Sequence, residues 1–84
     1  MTWTLEFESK ARKALLELDT TTQRRILSKL AKLRDNPRGM DAIKLTGSEC
    51  WRIRIGDFRV IYDIQDFRLC ILVIKIGHRR DIYR

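Results

Sequence analysis

Trp51-Arg-Ile-Arg-Ile-Gly-Asp-Phe-Arg-Val-Ile-Tyr62 decides the reading of this chain. Apolar residues alternate with other residues on both sides of Gly56-Asp57, the period of half-buried strands. A two-residue loop between two such runs predicts a hairpin, with Gly56 supplying the positive φ of a type II′ turn. That closure sets Ile55 opposite Phe58, Arg54 opposite Arg59, Ile53 opposite Val60 and Arg52 opposite Ile61. Trp51, Ile53, Ile55, Phe58, Val60, Tyr62 and Ile64 then form a core face, which makes Trp51 a packing residue. Arg52, Arg54 and Arg59 form the other face. Two like charges directly opposite on a sheet cost up to ~1 kcal/mol relative to neutral pairs. Such a face makes physical sense when an anion sits between the arginines. The competing reading is a solvated face neutralised by Asp57 and Asp63.

Downstream, a turn at Gln65-Asp-Phe-Arg68 leads into a nearly continuous apolar run at 69–76, as expected of a strand buried on both faces. A loop of even length sets Arg59 beside Ile74. Cys50 and Cys70 then share a face, each opposite Asp63. They are separated by two strand spacings, roughly 9–10 Å, too far for a disulfide. Both are expected as reduced thiols. The strand is expected to end at Gly77, where His78-Arg79-Arg80 emerge near the edge of the arginine face.

Upstream, Thr2 to Glu8 alternates, with Trp3, Leu5 and Phe7 on one side. Ser9 is placed to cap a helix reaching about Leu18, with Ala11, Ala14, Leu15 and Leu18 as its apolar stripe. Thr20 with Gln23 resembles a capping box and opens a second helix with the stripe Ile26, Leu27, Leu30 and Leu33. Arg24, Arg25, Lys29 and Lys32 lie outside that stripe, and Asn36-Pro37 stops the helix. Residues 38–49 read as a connection, followed by strands near 50–55, 58–64 and 69–76. The order β-α-α-β-β-β predicts an α+β fold, two N-terminal helices packed on one face of a mainly antiparallel sheet.

Length and charge narrow the possible functions. With 84 residues the chain is expected to form one domain, 1–84, around a modest core. Its 18 Lys and Arg against 11 Asp and Glu give a net charge of +7, so polyanions are the natural partners. No apolar run approaches the ~20 residues needed to span a bilayer. The first residues carry acids instead of a basic leader, so a cytoplasmic protein without a membrane partner is expected. Two cysteines and one histidine without ligand spacing predict no metal and no cofactor.

Taken in order, Lys44-Leu-Thr-Gly47, Trp51-Arg-Ile-Arg54, Phe58-Arg-Val-Ile-Tyr62, Ile76-Gly-His-Arg79 and Tyr83 resemble the RelE/ParE toxin superfamily over essentially the whole chain. The resemblance implies a RelE-like fold and the toxin of a toxin–antitoxin pair. It also implies a ribosome-dependent endoribonuclease, an mRNA interferase that cuts mRNA in the ribosomal A site. In RelE-like members the 2′-OH attacks the adjacent phosphate, leaving a 2′,3′-cyclic phosphate and a 5′-OH. The family's site maps onto Arg52 and Arg54, Arg59, Arg79 and Tyr83. Arg59 and Arg79 are then expected to stabilise the phosphorane, with Arg52, Arg54, Arg80 and Lys44 holding the RNA. At 52 and 54 this chain carries Arg where the best-known RelE members carry Lys, and Arg does not give up its proton. The base is therefore either Tyr83 or His78. The implied partners are a RelB-like antitoxin in a hetero-oligomer, and the 70S ribosome with its mRNA. Three other readings compete: ParE-like inhibition of DNA gyrase, a non-catalytic RNA- or ribosome-binding module, and a degenerate toxin that folds and binds its antitoxin but is inactive.

Overall fold

The computed structural model describes residues 3–39 and 41–78. Its first strand, β1 (Thr4–Phe7), leads into helices α1 (Ser9–Leu16) and α2 (Thr20–Leu33). Four strands follow: β2 (Ile43–Lys44), β3 (Trp51–Ile55), β4 (Phe58–Gln65) and β5 (Cys70–His78). The sheet runs β1-β5-β4-β3-β2, with β1 parallel to β5 and the remaining pairs antiparallel. Both helices cover one face, where Ala11, Leu15, Ile26, Leu30 and Leu33 meet Ile53, Val60, Tyr62, Ile71 and Val73. This is the expected α+β arrangement with one strand more. The two residues of β2 are too few to show an alternation, so residues 38–49 read as plain connection.

Helix ends differ from the sequence reading by a residue or two. Glu8, in extended conformation, holds the N-cap position of α1, and Ser9 is the first helical residue. The cap of α2 is Asp19, whose carboxylate accepts from the Thr22 backbone N–H at 3.2 Å. Asp therefore takes the role assigned to Thr20, since a carboxylate accepts from the exposed N–H groups of a first turn at least as well as a hydroxyl. Gln23 reaches back from the helix, its Nε2 donating to the Leu18 carbonyl at 2.7 Å. α1 stops at Leu16, and Leu18 packs against the core from the following turn. Ile26, Leu30 and Leu33 recur at four and three residues and are buried, whereas Leu27 lies off that line and is 41% exposed.

The β3–β4 hairpin matches its reading pair for pair, from Trp51 opposite Tyr62 to Ile55 opposite Phe58. Gly56 has φ +58 and Asp57 does not have positive φ, the pattern of a type II′ turn. The β4–β5 register differs. A single 3-10 turn at Asp66–Arg68 and a left-handed Leu69 close the hairpin at Gln65 opposite Cys70. A bulge then skips Ile74, because Tyr62 pairs with Val73 while Ile61 pairs with Lys75. Arg59 therefore lies opposite Gly77, not Ile74, and Asp63 opposite Leu72, not Cys70. The strand continues through Gly77 to His78. Both cysteines are free thiols. Cys70 is buried, and burial together with a hydrogen bond to Glu6 pushes its thiol pKa up.

Tyr62 ties the layers together. Its ring is fully buried, and its hydroxyl donates to the Pro37 carbonyl at 2.7 Å, anchoring the segment that follows α2. Burial pushes the phenol pKa up to about 12. Arg38, next in sequence, makes a two-pronged contact with Asp66 at 3.2 and 2.9 Å and lies 5.9 Å from the Trp51 ring centroid. Asp66 is accordingly held below the usual carboxylate range by the Arg38 guanidinium. Trp51 packs partly buried against the core, as its position on the apolar face requires.

Candidate functional site

The helices leave the second face of the sheet open, and the register lays cations across it in two rows. One row runs Arg52, Ile61, Lys75 across β3, β4 and β5, and the next runs Arg54, Arg59, Gly77. A two-residue loop makes Ile55–Phe58 a hydrogen-bonded pair, so Arg54–Arg59 is the adjacent non-hydrogen-bonded pair, the class in which side chains approach most closely. Lys75 escaped the sequence reading, because only the bulge at Ile74 turns it onto this face.

Arg59 is the most informative member. Its Nε and Nη1 are buried and meet no hydrogen-bond acceptor. Ion pairs elsewhere are Lys29 with Asp41, Arg38–Asp66, Lys44–Glu49 and Arg68–Glu6, so among the described residues neither Arg54 nor Arg59 has a carboxylate partner. Asp63 instead accepts from Gln65 at 3.4 Å. The idea of a face neutralised by its own acids therefore fails for this central pair. Buried donors without acceptors are rare in folded proteins because each costs about 1–3 kcal/mol, and more when charged. Lys29, Asp41, Ile43, Arg52, Arg54 and Gly56 line a groove of about 480 Å³. Arg54, which lines this groove, is the cross-strand partner of Arg59, and the cations Lys29, Arg52 and Arg54 around it are suited to a phosphate oxygen.

Two other candidates lie elsewhere. Lys44 pairs with Trp51, which puts it on the opposite side of the sheet from Arg52, and its Nζ is 3.8 Å from Glu49. His78 pairs with Phe58 and meets its ring edge-on, with centroids 5.8 Å apart and planes at 77°. Phe58 packs on the helix side, so the imidazole shares that side and not the arginine face. Arg79, Arg80 and Tyr83 lie outside the described residues. Among the described residues, no group of three or more His, Cys, Asp or Glu is placed to hold a metal ion. No helix among them is long and apolar enough to cross a membrane.

The chain is a small α+β protein with one helical layer and one basic sheet face. The comparisons give the family. A family profile described as the ParE toxin of type II toxin–antitoxin systems, parDE, matches residues 5–83. An Escherichia coli protein named as RelE-like toxin is 33% identical, covering 99% of this chain and 92% of the relative. The E. coli mRNA interferase toxin RelE is 29% identical, over 94% of this chain and 85% of the relative. Among solved structures, an archaeal RelE–RelB complex from Pyrococcus horikoshii has a TM-score of 0.83 at 31% identity, covering 96% of this chain and 99% of that one. The isolated E. coli RelE toxin also reaches 0.83, at 27% identity over 96% of this chain and 90% of the other. The chain belongs to the RelE/ParE superfamily, as a RelE-like toxin of a toxin–antitoxin system.

Proposed function

We propose that this toxin is a ribosome-dependent endoribonuclease that cuts mRNA in the A site, with the scissile phosphate bound over the Arg54–Arg59 pair. The observation that carries the reading is the pair of buried Arg59 nitrogens without an acceptor. A phosphate oxygen supplies that acceptor. It also relieves the repulsion between two guanidiniums placed opposite each other.

The chemistry follows from RNA itself. The 2′-OH attacks the adjacent phosphorus, its proton passes to a base, and the P–O5′ bond breaks as the 5′-oxygen takes a proton from water, giving a 2′,3′-cyclic phosphate and a 5′-OH. Negative charge accumulates on the equatorial oxygens, where fixed donors in a partly dry site act most strongly. Arg59 is assigned to those oxygens with Arg79, and Arg52 and Arg54 to the flanking backbone. The base is assigned to Tyr83, as the family resemblance implies, since cations gathered at such a site favour a phenolate. The roles of Arg79, Arg80 and Tyr83 rest on the family resemblance alone. His78, turned toward Phe58, is left out of the proton transfers, and Lys44 out of the central contacts. A sparse set of arginines has no means of splaying a flexible strand for in-line attack, so that alignment is assigned to the ribosome.

The expected partner is a RelB-like antitoxin, as in the RelE–RelB complexes of the structural neighbours. An antitoxin with acids toward the open face would silence the toxin by occupying the phosphate site, and the complex would be a hetero-oligomer. Residues 1–84 are taken to act as one toxin domain. A second reading, inhibition of DNA gyrase, is favoured by the family profile being described for ParE. Single-turnover cleavage of ribosome-bound mRNA by wild type and Arg59→Gln, run beside a gyrase supercoiling assay, separates the two. Cleavage lost with Arg59→Gln and supercoiling untouched supports the nuclease. Blocked supercoiling with intact mRNA supports the gyrase reading.

A further inference from the structure

On the helix side of the β3 edge, a second groove opens between α2 and the β3–β4 turn. It measures about 490 Å³, and its lining includes Arg24, Arg25, Lys29, Lys32 and Arg54, with Ser28 as the neutral polar member. Among the described residues no carboxylate belongs to the lining. Among the described residues, Lys29 is the one of these cations in an ion pair, with Asp41 of the adjoining groove, whose carboxylate Lys32 also stabilises. Arg25 is set against the turn: a Cβ on Gly56 would stand 3.1 Å from its Nη2 and 3.5 Å from its Nη1. The glycine that closes the hairpin thus also makes room for a guanidinium at the tip of the arginine strands. Lys29, Arg54 and Gly56 line both this groove and the one beside Arg52, so the two adjoin around the β3 edge.

We propose that this groove binds the sugar–phosphate backbone of folded, double-helical RNA, as a contact in addition to the one on the open sheet face. The proposal rests on the reading of the protein as an RNA-directed toxin. Arg25, Lys29 and Lys32 follow at four and three residues and lie along one face of α2. From Arg25 to Lys32 is about 10 Å along the helix axis, long enough to follow successive phosphates. Arg and Lys offer only donors, and Ser28 is the one side chain of the lining able to accept, so the groove is equipped to hold phosphates and not to read bases. Among the described residues no aromatic side chain lines it, whereas grooves for single strands combine cations with stacking rings. An acidic protein segment would want apolar anchor sites between its charges, and among the described residues Ile55 is the only large apolar member of the lining. Like charges gathered around one groove repel one another, and a phosphate chain removes that repulsion at every step. In function, the groove would hold the toxin on structured RNA while the adjoining open face takes the strand to be cut.

The test is fluorescence anisotropy of the purified full chain with a labelled 24-base-pair RNA duplex and, in parallel, labelled polyglutamate. Each phosphate contact contributes about eightfold at ~0.1 M salt, from a slope of about 0.9 per contact. Arg25→Gln/Lys32→Gln is expected to weaken duplex binding by up to about sixtyfold and to flatten the salt dependence by about two contacts. Arg12→Gln/Lys13→Gln removes the same charge from α1 and is expected to change binding no more than about twofold, the remainder being long-range attraction. Unchanged duplex affinity in the α2 variant, or an equal loss in the α1 variant, overturns the proposal. So does polyglutamate binding as tightly as duplex with the same dependence on Arg25 and Lys32, which would assign the groove to an acidic protein. Groove-dependent duplex binding by a protein that leaves ribosome-bound mRNA intact would overturn the cleavage reading and uphold the groove.

Discussion

Arg59→Met separates what the open face does for folding from what it does for function. In the free protein the substitution removes a guanidinium whose Nε and Nη1 are buried without acceptors. Leaving charged donors in that state costs at least the 1–3 kcal/mol of a neutral unsatisfied group, or about 2 kcal/mol as a central figure. The same change abolishes the Arg54–Arg59 confrontation, worth up to ~1 kcal/mol. Against these stands imperfect repacking of a flexible thioether of similar length, about 1 kcal/mol. The net expectation is a gain of about 1–2 kcal/mol, or roughly 5–15 °C in Tm for a domain of this size. Urea unfolding followed by the fluorescence of Trp3 and Trp51 reads the change directly. The midpoint should rise with an unchanged m-value. Inorganic phosphate should raise the Tm of the wild type and have much less effect on the variant, because it binds the folded site only when the guanidinium is present. A midpoint that falls would refute the reasoning, since it would show that the folded protein already satisfies Arg59.

Tyr62→Phe leaves the Pro37 carbonyl without its buried donor and should cost about 1–2 kcal/mol, read as a lower urea midpoint at neutral pH. Because the folded pKa of Tyr62 is raised to about 12, the unfolded phenol ionises first. Wild-type stability should therefore fall as pH rises from 10 toward 12, and the Phe variant should lose this dependence; an unchanged alkaline slope would contradict it. Asp19, Asp41 and Asp66 have lowered pKa values, through Thr22, Lys29 and Arg38 respectively. Their contribution is present above the unfolded carboxylate value near ~3.9 and is lost as pH falls through the lower folded values, so the urea midpoint should drop in acid and drop less in Asp19→Asn. For the reaction, Tyr83→Phe should slow single-turnover cleavage by about 100-fold or more, the usual weight of a general base. His78→Gln should slow it less than about threefold, and the reverse ranking would move the proton transfer to His78.

How far the sequence revealed the molecule depended on local chemistry. The β3–β4 register was readable because one glycine with positive φ closes a two-residue loop, and closure fixes every pair that follows. The next hairpin lacked such a marker. Its 3-10 turn ends on left-handed Leu69, a conformation no leucine announces, and the bulge at Ile74 leaves no mark in an unbroken apolar run. That difference moved Arg59 beside Gly77 and brought Lys75 onto the open face. Arg52, Arg54 and Arg59 were found because charge at alternate positions of apolar strands is conspicuous. The basic groove on α2 was not, because Arg24, Arg25, Lys29 and Lys32 read as an ordinary solvated helix face. Only packing shows that this face adjoins the turn at Gly56. Tyr62 read as core, and its hydroxyl partner Pro37 lies 25 residues earlier, beyond any local pattern.

Primer extension across a defined mRNA on programmed ribosomes, with and without the purified protein, tests the central claim most directly. The account predicts cuts within the A-site codon that require the ribosome, leave a 5′-OH on the downstream fragment and vanish with Arg59→Gln. Intact mRNA on ribosomes exposed to folded wild-type protein, or the same cuts with Arg59→Gln, would contradict it.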